Sequence, residues 1–561
     1  MPRALAIVGI TVIAYIPAIR GGFIWDDDDY VTDNELLRSV DGLKGIWLSP
    51  ASTPQYYPLV FTSFWVEYHL WGLAPAGYHL TNVLLHGLGA LILWRVVRSL
   101  GLRGAYLAGL VFALHPVHVE SVAWATERKN VLSGVFYLAA GWAYLRCWAM
   151  GMARGGKPLE WRYYALSLVL FGCALLSKTV TASLPAALLV VIWWRRGRFA
   201  KGGWWEAARL VPFFVLGIVM GVTTAWLERH QVGAEGEEWS LTLVERFLVA
   251  GRALWFYAGK LVWPVGLTFV YPRWQVSQGS WWQYVYPLLA VGVMVSLWLL
   301  RNRIGRGWFA GVLYFGGTLV PALGFLNVYP HRFSYVADHF QYLASLGLLV
   351  PASCLVWEVL SRLAGWRRAS GVVGIVVILG LLGLATWRQG WAYKDLEALW
   401  TYTLRKNPDS FLAQNNLGNL LRNSGRRDEA AYHYREALRI RPDCAEAWNN
   451  LGVVMSRPGG FEKAMEYYAR AMALRANYVD AIFNMGNALL GLGRLEEAED
   501  CYRRAMRLAP SFAQAHNNLG LTLMRQGKLG EAEAEFREAL QADPNHADAR
   551  DNLQLIRNLV K

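Results

Sequence analysis

Cross-linking chemistry is scarce in this sequence. Its five cysteines, Cys147, Cys173, Cys354, Cys444 and Cys501, show no CxxC or other paired spacing, so no disulfide framework and no zinc site follows. Charge is also thin: Asp, Glu, Lys and Arg make up 17% of the chain against 55% hydrophobic residues, and the mean hydropathy is +0.23. That balance argues against an ordinary soluble protein and for a membrane one. Acids are in deficit, with 41 Asp and Glu against 55 Lys and Arg, a net charge of +14. Most of the excess sits in short loops between apolar runs, so it marks one side of a membrane and not a nucleic-acid face. Long apolar runs are missing only from 394–561, and the chain divides there.

Runs near 4–19, 78–97, 104–120, 130–147, 163–177, 180–195, 208–226, 281–300, 308–326, 340–361 and 371–387 predict about eleven spans. A further apolar stretch near 247–266 is read as an interfacial or re-entrant helix, because counting it as a span would put Arg301, Arg303 and Arg306 outside. With the N-terminus inside, every inner loop is basic: Arg95, Arg98 and Arg103; Arg146, Arg154, Lys157 and Arg162; Arg195, Arg196, Arg198 and Lys201; Arg301 to Arg306; Arg362 to Arg368. The outer loops hold Asp26 to Asp29, Asp33, Glu35, Asp41, Glu228, Glu235, Glu237 and Glu238. Residues 1–390 form this half, with two long outer segments, 20–77 and 227–280, whose Trp, Tyr and Pro suit helices lying along the surface. The start, Met1-Pro2-Arg3 and an apolar run, reads as an uncleaved anchor; a signal peptide cut near Gly21 is the alternative. An odd number of spans carries 394–561 to the outer side.

That second half repeats every 34 residues. Gly418, Gly452, Gly486 and Gly520 keep the period, with Asn416, Asn450, Asn484 and Asn518 two positions earlier. Tyr434, Tyr468, Tyr502 and Phe536 follow in register, and Pro408, Pro442, Pro510 and Pro544 punctuate the ends, with Ala476 the exception. These are tetratricopeptide repeats, at 409–442, 443–476, 477–510 and 511–544, with a closing helix at 545–561 and a partial repeat before Pro408. The fold class is therefore all-α: a polytopic helical membrane domain followed by an α-solenoid. Such stacks present a concave face to extended peptides, and the four asparagines fall on its inner helices, where they could clamp a backbone or merely satisfy neighbouring carbonyls.

In the membrane half the ionisable residues gather at the outer ends of spans. Asp26 and Asp27 follow the first; His115, His118, Glu120, Glu127, Arg128 and Lys129 follow the third; Lys178 lies between the fifth and sixth; His331, Arg332, Asp338 and His339 lie between the ninth and tenth. A transporter would place such groups near mid-membrane. Acids beside cations at a lipid boundary suit deprotonation of a hydroxyl and departure of a lipid-linked phosphate. The bland alternatives are a solvated or loosely calcium-binding loop for Asp26 to Asp29, snorkelling for Lys129, and packing for Tyr78, His79, Asn82 and His86. A metal on His115, His118 and Glu120 is disfavoured by Pro116 between the histidines.

Several strings carry a family resemblance: Phe23-Ile24-Trp25-Asp26-Asp27, Tyr57-Pro58-Leu59, Gly77-Tyr78-His79-Leu80-Thr81-Asn82 with His86, Phe112 through Glu120, Ser177-Lys178, and Ala337-Asp338-His339 with Tyr342-Leu343. Over nearly its whole length the chain resembles the transmembrane and tetratricopeptide-repeat O-mannosyltransferases, of the GT-C superfamily of polyprenyl-phosphate-dependent glycosyltransferases. The resemblance implies that Asp26 and Asp27 are the catalytic acid pair, the first being the general base. It implies that Arg128 and Lys178 meet the donor phosphate; Arg332 is a further candidate for it. Asn130, Thr179 and His339 depart from the Asp, Glu and Arg that eukaryotic relatives tend to have there.

The expectation is an inverting membrane glycosyltransferase moving mannose or another hexose from a polyprenyl-phosphate donor to a Ser or Thr hydroxyl at the outer face, with the repeats binding the protein acceptor. Substrate positioning falls to His115, His118, Glu120, Asp338, His339 and Tyr342. No cofactor is required; a divalent metal is left open, and nucleic acid is not a partner. The location expected is a bacterial inner membrane with the repeats outside, or the endoplasmic reticulum with the repeats lumenal. The rival function is a non-catalytic membrane-anchored repeat scaffold.

Overall fold

The computed structural model describes residues 2–153, 160–197, 207–227, 230 and 240–559. Arg154, Lys157, Arg198, Lys201, Glu228, Glu235, Glu237 and Glu238, used above to orient the loops, lie outside the described residues. Among those described, every regular element is helical, as the sequence indicates. The chain divides into Met1–Asn407 and Pro408–Lys561. The helix Leu396–Lys406, within the stretch that hydropathy assigns to the repeats, belongs to the first unit. There its Trp400 is buried and packs edge-on against Trp25 and Phe269.

Among the described residues, three helices of the first unit are long and apolar enough to cross a membrane: Pro75–Ser99, Trp281–Leu300 and Gly365–Tyr393. Ala105–Leu114 and Pro116–Ala123 would add a fourth as one span bent by 54°. Pro2–Ala14, Trp161–Leu175 and Val211–Leu227 are apolar but shorter. The eleven spans expected from hydropathy are therefore not matched one for one by long helices. The reasons are local: Pro116 removes an amide after Leu114, and a 3-10 turn at Thr179–Ser183 separates Trp161–Leu175 from Leu184–Arg196. The stretch 247–266 is the bulk of one amphipathic helix, Leu243–Val262, opened by a capping box in which Thr242 and Glu245 satisfy each other's backbone amides.

In the second unit the 34-residue period has a steric origin. A Cβ added at Gly418, Gly452, Gly486 or Gly520 would lie 2.7, 2.5, 2.8 or 2.6 Å from the ring of Tyr434, Tyr468, Tyr502 or Phe536. Each glycine thus makes room for the aromatic ring of the next helix in its own repeat. The helix pairs run from Phe411–Asn423 with Arg427–Ile440 to Ala513–Arg525 with Leu529–Ala542, closed by Ala547–Leu559.

Candidate active site

The acidic string begins with an unusual backbone. Trp25 has φ of 49°, the one positive value at a non-glycine among the described residues, and its indole is held between Trp400 and Phe269 at 5.0 and 6.2 Å. For a bulky side chain that conformation is costly and persists only where packing enforces it. A π-helical turn follows at Asp28–Thr32, another irregularity that clusters at functional sites. The two irregularities flank Asp26 and Asp27.

Asp27 is fully buried and its carboxylate is occupied. Oδ2 accepts from the Ile24 amide at 2.8 Å, and Oδ1 accepts from the amide and hydroxyl of Thr126 at 2.8 and 2.6 Å. Burial pushes its pKa up to about 7, opposed by those three donors. Asp27 therefore ties the acidic turn to the 3-10 turn Ala125–Glu127. Asp26 is half-buried, and its carboxyl oxygens accept no hydrogen bond from the described residues. Burial raises it to about 6, with the positive charge of Lys129 pulling the other way. Asp28 and Asp29 are exposed.

Glu127 sits at the centre of a charged cluster. Its two oxygens receive Lys129 at 3.1 Å and Lys178 at 3.3 Å. Burial raises this carboxyl, but the two ammonium groups outweigh that and hold it below the usual range. Lys129 also lies 5.3 Å from the Tyr30 ring centre and 5.7 Å from that of Trp124. Burial would lower its pKa, yet Glu127, Tyr30 and Asp26 keep it above normal. For Lys178 burial wins, bringing it down to about 8 against the pull of Glu127. Asn130 donates to Glu127, to Ser121 at 3.1 Å and to the His339 carbonyl at 3.1 Å, which joins the 338–341 turn to the cluster.

Arg128 has a different place from the one expected. It is fully buried, and all five of its donors are taken: Nε by Asn82, Nη1 by Ser63 at 3.0 Å and Glu67 at 2.9 Å, Nη2 by Glu67 at 3.1 Å and the Tyr78 carbonyl at 2.9 Å. A guanidinium so committed clamps helix Pro58–Trp71 to helix Pro75–Ser99 and has no donor left for a phosphate. Lys129 was read as an interfacial anchor, and the structure puts it at the cluster's centre. Adjacency in sequence carried no signal that distinguishes the two cations; only the buried Glu67, 61 residues away, does. Arg332 is half-buried, with its guanidinium 5.8 Å from the Phe333 ring.

The residues expected to position substrate are buried and mutually bonded. His115 bonds the Leu261 carbonyl at 3.0 Å. His118 bridges the Phe112 carbonyl at 2.8 Å and Ser345 Oγ at 3.1 Å. Tyr342 pairs its hydroxyl with His86 at 2.9 Å. Glu120 holds both the ring and the backbone amide of His339, at 2.8 and 3.1 Å. Asp338 accepts the Tyr271 hydroxyl at 3.0 Å, and burial, with Glu120 adding repulsion, raises its pKa. Of these, Glu120 and His339 adjoin the lysine cluster; His115, His118 and Tyr342 form an internal polar core. Among the described residues no three His, Cys, Asp or Glu side chains gather as a metal site would require.

The repeat asparagines are also engaged. Asn450 donates to Asn415 and Asn419 at 3.1 and 3.0 Å, Asn484 to Asn449 at 3.0 Å, Asn518 to Asn487 at 2.8 Å, and Asn552 to Asn517 at 2.9 Å. Asn416, with no earlier rung, turns back to the Leu412 carbonyl at 2.9 Å. Their amides stitch one repeat to the next.

Comparison with known proteins supplies the context. Residues 58–221 match the family model described as dolichyl-phosphate-mannose-protein mannosyltransferase, and 409–477 and 483–547 match tetratricopeptide-repeat models. Human protein O-mannosyl-transferase TMTC1 is 25% identical over 507 residues, covering 78% of this chain and 54% of its own. The Caenorhabditis elegans protein O-mannosyl-transferase F38B6.6 is 23% identical, covering 77% and 62%. Human TMTC3 reaches 32% over 183 residues, 31% of this chain and 19% of its own. The chain thus spans between 19% and 62% of these relatives' length. Among solved structures, the crystal structure of MamA is 23% identical at a TM-score of 0.25, covering 27% of this chain and 88% of that one. The resemblance read from the sequence holds in both halves.

Proposed function

We propose that this relative of the transmembrane and tetratricopeptide-repeat O-mannosyltransferases is itself a membrane protein O-mannosyltransferase, with Asp26 as its general base. The observation that carries the reading is the contrast within the acid pair: Asp27 accepts three hydrogen bonds, whereas Asp26, under the positive charge of Lys129, accepts none from the described residues. A carboxylate with a pKa near 6 is ionised at neutral pH and still basic enough to take a proton.

The donor is a polyprenyl-phosphate sugar and the acceptor a Ser or Thr hydroxyl of a protein. Asp26 removes the hydroxyl proton as the oxygen attacks the anomeric carbon. The bond from that carbon to the phosphate oxygen breaks, and polyprenyl phosphate leaves with the bonding pair; one such displacement inverts the anomeric centre. Lys129 and Lys178 meet the charge growing on the phosphate, and Glu127 keeps both cations charged and in place. His339 and Glu120 bound the site on the side of the 338–341 turn. Arg332 is retained as a further phosphate contact. The outer face of a multi-pass membrane suits this chemistry, with the repeats on the same side presenting an extended acceptor and raising its local concentration.

The test is transfer of radiolabelled mannose from polyprenyl-phosphate mannose to peptide and protein acceptors in proteoliposomes. Transfer by the wild-type chain and none by a folded Asp26→Asn variant is expected; equal transfer by both rejects the base, and none by either leaves the scaffold reading standing. A scaffold gives no reason for two lysines to share a buried glutamate beside a free aspartate.

A further inference from the structure

The first unit contains an elongated apolar cavity of about 580 Å3, within the roughly 300–1,000 Å3 of small-ligand sites. It runs between five helices, Pro75–Ser99, Arg128–Ala153, Leu184–Arg196, Gly307–Leu319 and Leu346–Arg362. One end is formed by Tyr137, Leu184 and Tyr314, on the stretches of chain that follow Glu127 and Lys178. The other is formed by Leu100, Arg103, Trp194 and Glu358, where three of the helices terminate. Along Leu184–Arg196 the lining extends from Leu184 to Trp194, about 15 Å at 1.5 Å per residue. That is about half of a 30 Å hydrocarbon core, the depth of one leaflet.

The two ends differ in charge. At the helix-terminal end Arg103 is exposed, and Arg195 reaches the Leu100 carbonyl at 3.2 Å. The guanidinium of Arg306 covers Gly197 so closely that a Cβ there would overlap it. The acid at this mouth, Glu358, lies 3.7 Å from Arg103 and already pairs with Arg362 at 3.0 Å. Trp194 and Trp308 line the same end, and aromatic rings with arginines are the composition of a membrane interface. A slot one leaflet deep, apolar along its length and cationic at its mouth fits an amphiphile with a hydrocarbon tail and an anionic head.

We propose that this cavity binds an anionic phospholipid, one acyl chain lying between the five helices and the phosphate meeting Arg103 and Arg195. The site is separate from the proposed donor site, because the headgroup sits at the end away from Glu127 and Lys178. It does not depend on the transferase reading.

The experiment is native mass spectrometry of the full chain, released from vesicles of phosphatidylglycerol, of phosphatidylcholine, or of an equal mixture. One phosphatidylglycerol per chain, retained in preference to phosphatidylcholine, is expected. Replacing both Arg103 and Arg195 by Ala lowers that retention about thirty-fold, from the typical worth of each basic residue at an anionic surface. Ala187→Phe, whose ring enters the cavity, abolishes it with either lipid. Equal retention of the two lipids, undiminished retention in the double variant, or displacement of phosphatidylglycerol by added polyprenyl phosphate would overturn the proposal. The thermal midpoint of each variant is followed alongside; if Ala187→Phe does not fold, the arginine pair decides the matter.

Discussion

The two halves handle charge in opposite ways. In the membrane half, the ion pairs around the candidate site are buried: Arg128 with Glu67, and Lys129 and Lys178 around Glu127, at 0–16% side-chain exposure. In the repeats they are plentiful and outward, in pairs such as Arg494 with Glu497 and Lys463 with Glu466, one helical turn apart and about half-exposed. A buried charge is tolerable only when its partners are complete, so each one fixes geometry. An exposed pair is screened and fixes little. The lesson is that function in the first half is read from incompletely satisfied groups, and in the second from the shape that repeated packing makes.

The largest effect that would sharpen this contrast is at Asp26. Asp26→Asn removes the base with little change of volume, and a loss of about 10²–10⁴ in kcat is expected in the proteoliposome assay, with the thermal midpoint unmoved. Next is the completed pair: Glu67→Gln leaves Arg128 buried without its counter-charge, and a stability loss of about 3–5 kcal/mol is expected from denaturant unfolding in detergent. A loss under about 1 kcal/mol would break the argument that Arg128 is a clamp.

The pH profile tests the cluster between these extremes. Activity needs Asp26 deprotonated and Lys178 protonated, so it rises through about pH 6 and falls through about pH 8. Glu127→Gln removes the neighbour that holds Lys178 charged, so the falling limb moves to lower pH; an unmoved limb would show that Lys178 is not the acid being titrated. In the repeats, Gly486→Ala puts a methyl group 2.8 Å from the Tyr502 ring and should cost about 1–3 kcal/mol by calorimetry. Smallest of all, Arg494→Ala opens an exposed pair and should leave the midpoint unchanged.

The repeats were legible in the sequence because each glycine and the ring it accommodates lie in adjacent helices of one repeat, so the steric relation is written into the period itself. Gly418 with Tyr434 shows this directly. The membrane half was legible in kind and less so in detail. Hydropathy reports apolar length, and cannot register where Pro116 or the Thr179–Ser183 turn interrupts a helix. The surroundings of Arg128 and Lys129 were not legible for a similar reason. Their partners, Glu67 on one side and Glu127 with Tyr30 and Trp124 on the other, are decided by packing across distant segments. Likewise the division of labour between Asp26 and Asp27 depends on Thr126, 99 residues beyond the latter.

The first asparagine of the solenoid has an implication for assembly. Identical units that each hold out a donor to the one before can grow without limit, as filaments do. Because Asn416 folds its amide back onto Leu412, the chain of rungs has a terminus, and a second molecule stacking there would find no outstretched hand to grasp.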